Sequence, residues 1–237
     1  MSLAPAADAS QRWAENPYPD YVKQVNASIA FSGADQSFFT AGKAVRLLDV
    51  LRARRFDLAK TKLLDVGCGV GLIHPFLVDA LGRIDGVDIA EDALAEGAKR
   101  NPRVTYRPFD GDHLPCADGS YDAAVTICVM HHVPPARWRG FLAEALRALR
   151  PGGIFMVFEH NPYNPLTRLA VSRCEFDYDA TLLRPGMLRG MMREVGFTAV
   201  AREFLFFTPL KAMQGLEKGL RWLPLGAQYV AMGLKPA

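Results

Sequence analysis

The chain has little that would suit it to a membrane, to nucleic acid or to an oxidising compartment. No stretch approaches the ~20 uninterrupted apolar residues of a membrane-spanning helix. The N-terminus shows no basic segment followed by an apolar core of the kind that directs export. Charge of one sign is also missing: 28 Lys and Arg against 25 Asp and Glu leave a net charge of +3, too small for a dominating basic surface. Nucleic acid is therefore disfavoured as a partner. Only four cysteines occur, Cys68, Cys116, Cys128 and Cys174, with no Cys-x-x-Cys pair. A chain of 237 residues can bury its own core and does not need disulfide staples. The expectation is reduced thiols in a cytoplasmic protein with no membrane association. No internal repeat or low-complexity segment appears, and no His, Asp or Glu spacing matches a recognised ligand motif, so no metal is expected. The sequence carries no signal of oligomeric state.

What is there is organised around residues 63 to 72. The apolar residues Leu63, Leu64 and Val66 run into three glycines spaced two apart, Gly67, Gly69 and Gly71. This reads as a strand entering a loop that turns tightly and lets a ligand approach the backbone, with a helix opening at Gly71-Leu72-Ile73 whose N-terminus faces that ligand. Asp88 ends the next apolar strand (Ile84, Val87) about 20 residues on, where a carboxylate accepts from ribose hydroxyls. Asp110 follows a third strand-like run, Val104-Thr105-Tyr106. In a parallel sheet Asp65, the glycines, Asp88, and Asp110 with Gly111 converge on one crevice. A dinucleotide-binding oxidoreductase also needs glycines and an acidic residue, but its Gly-x-Gly-x-x-Gly fingerprint requires a small residue at position 72, where Leu72 stands. A non-catalytic cofactor-binding protein on the same fold is the other alternative.

The motifs LLDVGCGVG, GVDIA, DGDHLP followed by SYDAAV, and ALRALRPGG resemble the class I S-adenosylmethionine-dependent methyltransferases from Leu63 to about Phe158. The resemblance implies S-adenosylmethionine as cofactor, with S-adenosylhomocysteine as product. It implies a glycine loop, Gly67 to Gly71, around its methionine and ribose parts, Asp88 on the ribose and Asp110 on the adenine. Cys68, Ile89 and Cys128, at the same strand ends, complete the expected cofactor set. The implied fold is α/β: a doubly wound, mostly parallel seven-stranded sheet in the order 3-2-1-4-5-7-6, its last strand antiparallel, with helices on both faces and an N-terminal helical lid.

Along the chain, residues 1 to 16 are expected to be a flexible N-terminus, 17 to 55 a helical segment and 56 to 237 the catalytic domain. Tyr21, Val25 and Ile29 form a helical stripe, and Asp35 is a plausible N-cap for a second helix carrying Phe38, Phe39, Val45, Leu48 and Leu51. Residues 17 to 42 are the expected lid. Strands are predicted at 62 to 66, 84 to 89, 103 to 107, 122 to 128, 154 to 158, 199 to 207 and 227 to 234. Helices are predicted at about 71 to 81, 91 to 99, 135 to 149, 165 to 175 and 186 to 194.

Methyl transfer is an in-line displacement, so positioning matters most, and a base is needed when the acceptor is a hydroxyl. A small-molecule acceptor is expected, with oxygen favoured slightly over nitrogen or carbon. The candidate bases are His131 and His132 after strand four, His160 after strand five, and His113 in the Asp110 loop. Two adjacent histidines are expected to diverge, leaving His132 and His160 as the catalytic candidates. Asn161-Pro162-Tyr163-Asn164 is superficially similar to the Asn-Pro-Pro-Tyr box of base-methylating enzymes, but it follows strand five and lacks the second proline, so it reads as a turn.

Overall fold

The computed structural model describes residues 18–208 and 214–237. The expectation for residues 1 to 16 lies outside them. Seven strands form one sheet: β1 (Lys62–Val66), β2 (Arg83–Asp88), β3 (Thr105–Pro108), β4 (Tyr121–Ile127), β5 (Leu149–His160), β6 (Thr198–Leu205) and β7 (Gln228–Leu234). Their spatial order is β3-β2-β1-β4-β5-β7-β6. β1 to β5 run parallel, while β7 pairs antiparallel with both β5 and β6. This is the expected topology, with β7 inserted between β5 and β6.

The strands are apolar on both faces, and the residues alternate between two cores. In β5, Ile154, Met156 and Phe158 join one core while Phe155 and Val157 join the other. A sheet buried on both sides needs helices on both sides. On one face lie α4 (Trp138–Ala148), with Phe141, Leu142 and Ala145 buried, and α6 (Pro185–Val195), with Leu188, Met191 and Met192 buried. On the other lies α2 (Gln36–Ala53), whose Phe38, Leu47, Leu48 and Leu51 pack with Leu63, Ile84 and Phe206. The Asp35 side chain caps α2 by accepting from Phe38 N at 3.0 Å, as expected of an N-cap. The remaining helices are α1 (Tyr18–Ile29), α3 (Glu91–Arg100), α5 (Pro165–Arg173) and α7 (Gln214–Leu220), the last not anticipated.

Three expectations need correction. The helix at 71 to 81 is absent. In its place are tight turns and a short 3₁₀ segment, His74–Phe76, held by i to i+3 bonds such as His74 N to Gly71 O and Leu77 N to His74 O. Pro75 is the cause, since it has no N–H and its ring would crowd the carbonyl of residue 71 in an α-helix. The apolar periodicity was nonetheless meaningful: Ile73, Leu77 and Leu81 are all buried. Second, β5 begins at Leu149 rather than 154, because Leu149 pairs with Tyr121 before a register shift. Third, the 17 to 42 segment is not one lid. Phe38 is 8% exposed within the core, so α2 is a structural helix that also lends Phe39, Thr40 and Lys43 to the crevice wall, while α1 and the turn Ala30–Ser32 contribute Val25, Ile29 and Phe31. Val25 and Ile29 of the helical stripe line the crevice, and the side chain of Tyr21 lies outside the described residues.

Candidate active site

The carboxyl ends of β1, β2, β4 and β5 open on a cavity of about 830 Å³, a volume suited to a small molecule. Its first wall is the loop after β1. Gly67 has φ +75°, and a Cβ there would lie 2.6 Å from a Val129 methyl; Gly69 has φ +51° and faces open space. Gly67 N and Cys68 N both donate to Val87 O, which ties the loop to β2. Asp88 Oδ2 accepts from Gly69 N at 2.7 Å and Oδ1 from Ala90 N at 2.9 Å, so this carboxylate joins the loop to the start of α3. Burial raises the Asp88 pKa above the ordinary carboxylate value, with the backbone N–H groups opposing.

Behind the loop runs a one-directional chain of hydrogen bonds. Asn101 Nδ2 donates to the Tyr106 hydroxyl at 2.9 Å, which leaves that hydroxyl to donate to His74 Nδ1 at 2.7 Å and His74 Nε2 to donate to Asp65 Oδ2 at 3.0 Å. The other oxygen, Asp65 Oδ1, is buried on the cavity wall with no partner among the described residues. An orphaned carboxylate oxygen in such a place fits a cationic ligand group. Cys68 and Ile89 also line the cavity. Burial, followed by the charges of Asp65 and Asp88, pushes the Cys68 thiol well up.

Asp110 is placed differently from expectation. Phe109 and Gly111 line the cavity; Asp110 does not, and one oxygen of its carboxylate accepts from Asp112 N and His113 N, closing a turn. His113 sits beside it on the surface, 3.4 Å away and outside the cavity. The local side-chain bond outcompeted the predicted outward reach.

The opposite wall comes from β4 and β5. Cys128 leaves β4 with φ +56°, strain of a kind that collects at functional sites. Burial alone would raise its thiol pKa, but the Lys43 ammonium, 3.7 Å away, and His160 prevail and lower it to about 7. Next comes the 3₁₀ turn Met130–His132, which brings both histidines to one side instead of alternating them. The expected divergence therefore fails: the rings lie 4.1 Å apart and each Nε2 is 3.4 Å from Asp177 Oδ1. His131 is the deeper of the two, its Nδ1 donating to Glu159 Oε2 at 2.6 Å. Burial disfavours charge on His131, yet Glu159 and Asp177 outweigh it and hold its pKa well above the ordinary value. His160 Nε2 is 4.0 Å from Asp177 Oδ2. Lys43 and Asp177 went unnoticed in the sequence, the first as one charge on an amphipathic helix, the second in a segment without a motif.

Residues 64–157 match the family model described as "Methyltransferase domain". Over that span the chain is similar to the class I S-adenosylmethionine-dependent methyltransferases. An uncharacterized methyltransferase of Synechocystis sp. is 29% identical over 157 residues, covering 65% of this chain and 74% of that protein. Demethylmenaquinone methyltransferase of Beutenbergia cavernae is 34% identical over 124 residues, 52% of this chain and 49% of that one, so the chain spans about half the length of that relative. Among solved structures, a methyltransferase of Thermotoga maritima described as a possible histamine N-methyltransferase superposes with TM-score 0.66 at 20% identity, over 95% and 97% of the two chains. Phosphoethanolamine N-methyltransferase 2 of Haemonchus contortus, in complex with S-adenosyl-L-methionine, gives TM-score 0.67 at 15% identity, over 99% of this chain and 62% of that one. These structural likenesses establish a shared fold. Among the described residues no helix of this chain is long and apolar enough to cross a membrane.

Proposed function

We propose that this methyltransferase transfers a methyl group to a hydroxyl oxygen of a small, largely apolar acceptor. S-adenosylmethionine, when bound, supplies the activated methyl. The residues present fit it: Gly69 leaves open space at the backbone, the Asp88 carboxylate beside it is an acceptor suited to ribose hydroxyls, and the unpartnered Asp65 Oδ1 suits a cationic group. Ile89, Phe109 and Gly111 offer an apolar slot beyond Asp88 for a flat base, a role the Asp110 carboxylate does not share.

The observation that carries the oxygen reading is the imidazole cluster on the far wall. His132 and His160 face the cavity with the Asp177 carboxylate 3.4 and 4.0 Å from their Nε2 atoms. An alcohol or phenol must lose a proton as its oxygen takes up the methyl, and a carboxylate-backed imidazole accepts that proton near neutral pH. Phe39, Val129, Val171, Phe176, Phe206 and Phe207 also line the cavity, an apolar surface that favours an apolar acceptor. Free thiols at all four cysteines suit a reducing, cytoplasmic setting, and nucleic acid has no place in this reading.

Two measurements test the proposal. Calorimetric titration with S-adenosylhomocysteine should show micromolar-range binding and raised thermal stability; binding of NAD in its place would sink the cofactor assignment. Methyl-labelled S-adenosylmethionine offered with panels of phenols, alcohols and amines should label the hydroxyl compounds, with labelling lost in His132→Asn. Label in amines alone would overturn the oxygen preference.

A further inference from the structure

We propose that His131, His160 and Asp177 form a binding site for one divalent transition-metal ion with the ligand preferences of zinc, at the acceptor end of the cavity. One donor atom from each residue lies within 4.8 Å of the others. His131 Nε2 is 3.4 Å from Asp177 Oδ1 and His160 Nε2 is 4.0 Å from Asp177 Oδ2. Tetrahedral zinc with bonds of about 2.0–2.1 Å holds its donors about 3.4 Å apart. The donors, up to 4.8 Å apart, are thus within about 1.4 Å of that spacing, a gap that side-chain rotation spans.

A second observation points the same way. His131 is fully buried, and its Nδ1 is already engaged by Glu159 Oε2 at 2.6 Å. That carboxylate behind an imidazole is the arrangement that fixes the tautomer and aim of histidines bound to metals. The free nitrogen, Nε2, has no hydrogen-bond partner and is directed at the carboxylate of Asp177. Charge agrees with geometry. Two carboxylates, Glu159 at 0% and Asp177 at 14% side-chain exposure, enclose the cluster and require a positive charge between them. Two imidazoles and one carboxylate suit zinc, iron or cobalt rather than magnesium or calcium, and three protein ligands leave a position open to the cavity.

Neither the spacing of the ligands, 29 residues and then 17, nor their order forms a sequence motif, which is why the sequence reading expected no metal. The site stands without the oxygen-acceptor reading. If that reading holds, an acceptor hydroxyl coordinated at the open position loses its proton more readily, and His132, 3.4 Å from Asp177 Oδ1, takes it.

The test uses the full chain after chelator treatment, titrated with ZnCl₂ by calorimetry and with CoCl₂ by visible absorption. The expected result is one ion per chain and cobalt bands of a four- or five-coordinate site without a thiolate charge-transfer band. Asp177→Asn and His160→Asn should each weaken zinc binding at least tenfold, and S-adenosylhomocysteine binding in both reports that they remain folded. Glu159→Gln should weaken it about 10- to 100-fold through His131. No stoichiometric binding, a thiolate band, or unchanged affinity in whichever of the two ligand variants still binds S-adenosylhomocysteine overturns the site. Zinc binding that fails while S-adenosylhomocysteine binds defeats the metal alone; the reverse defeats the cofactor reading and leaves the metal site standing.

Discussion

Gly67 and Val129 provide a test of whether the glycine loop is positioned by packing against the β4 loop or only by its own backbone. In Gly67→Ala the new Cβ lies 2.6 and 2.7 Å from the two Val129 methyls, and φ stays at +75°. The left-handed conformation costs about 1–2 kcal/mol for a non-glycine residue, and relieving the overlap costs about 1–3 kcal/mol. The sum, about 2–5 kcal/mol, corresponds to a fall in Tm of about 4–20 °C for a chain of this size. Val129→Ala removes both offending methyls and by itself costs about 1–1.5 kcal/mol in lost burial. In the double variant the nearest Val129 atom is its Cβ at 3.2 Å, so the overlap component nearly vanishes while the backbone component remains. Denaturant titration of the four proteins should therefore give a coupling energy of about 1–3 kcal/mol in favour of the double variant. Additivity within about 0.5 kcal/mol would refute the packing argument, leaving backbone strain as the whole effect.

Asp88→Ala should weaken S-adenosylhomocysteine binding by about 1–3 kcal/mol, because the ribose loses a charged acceptor and Gly69 N loses its anchor; unchanged affinity in calorimetry would remove Asp88 from the ribose site. Glu144 has its pKa held below the ordinary value by Arg147, against some burial and with help from Leu114 N. Since the unfolded chain then binds protons at higher pH than the folded one, this stabilisation is present above the unfolded pKa and fades as pH falls through the folded one. Glu144→Gln should therefore flatten the acid limb of a Tm against pH curve below about pH 4.5, and an unaltered limb would contradict the pairing. A chain beginning at Gly33 should fold and keep its cofactor site, since Asp35 still caps α2, whereas one beginning at Ala44 should aggregate because it lacks Phe38 and half of a core helix; soluble, cofactor-binding protein from the shorter chain would show that α2 is dispensable.

The fold was legible because its strands are two-faced. Apolar or β-branched residues fill 63 to 66 apart from Asp65 and 123 to 127 without a break, and helical patterns separate them, which specifies a parallel sheet before any side chain is placed. The helix at 71 to 81 misread for a different reason: Ile73, Leu77 and Leu81 do bury one face, but Pro75 forbids the hydrogen bonding that the periodicity implied. At the site, the position of Asp110 was legible and its employment was not, since an aspartate two and three residues before free N–H groups turns inward on its own loop. Lys43 and Asp177 were illegible in principle. Each reaches the cavity only because the fold carries a distant segment over the carboxyl edge, and neither sits in a local pattern that distinguishes it from a solvated charge.

Carboxylates are costly to bury, and the manner in which each is compensated separates those that serve the fold from those suited to a ligand. Asp85 is fully compensated: Arg83, Arg107 and the Tyr121 hydroxyl all donate to it. Asp65 is not. Its Oδ2 accepts from His74 Nε2, while Oδ1, equally buried, has nothing among the described residues. An ionised group in this position destabilises the ligand-free protein by its desolvation, and a fold selected for stability alone would not retain it. Asp65→Asn keeps an acceptor for His74 and removes the unbalanced charge, so Tm without ligand should hold steady or rise by a few degrees. Affinity for S-adenosylhomocysteine should fall about tenfold or more, as the cationic amine loses its buried counter-charge. Affinity must fall without a fall in Tm, in the usual manner of a residue kept for binding at some expense to stability. A lower Tm with unchanged affinity would mean that Asp65 is a structural carboxylate like Asp85, with His74 its sole purpose.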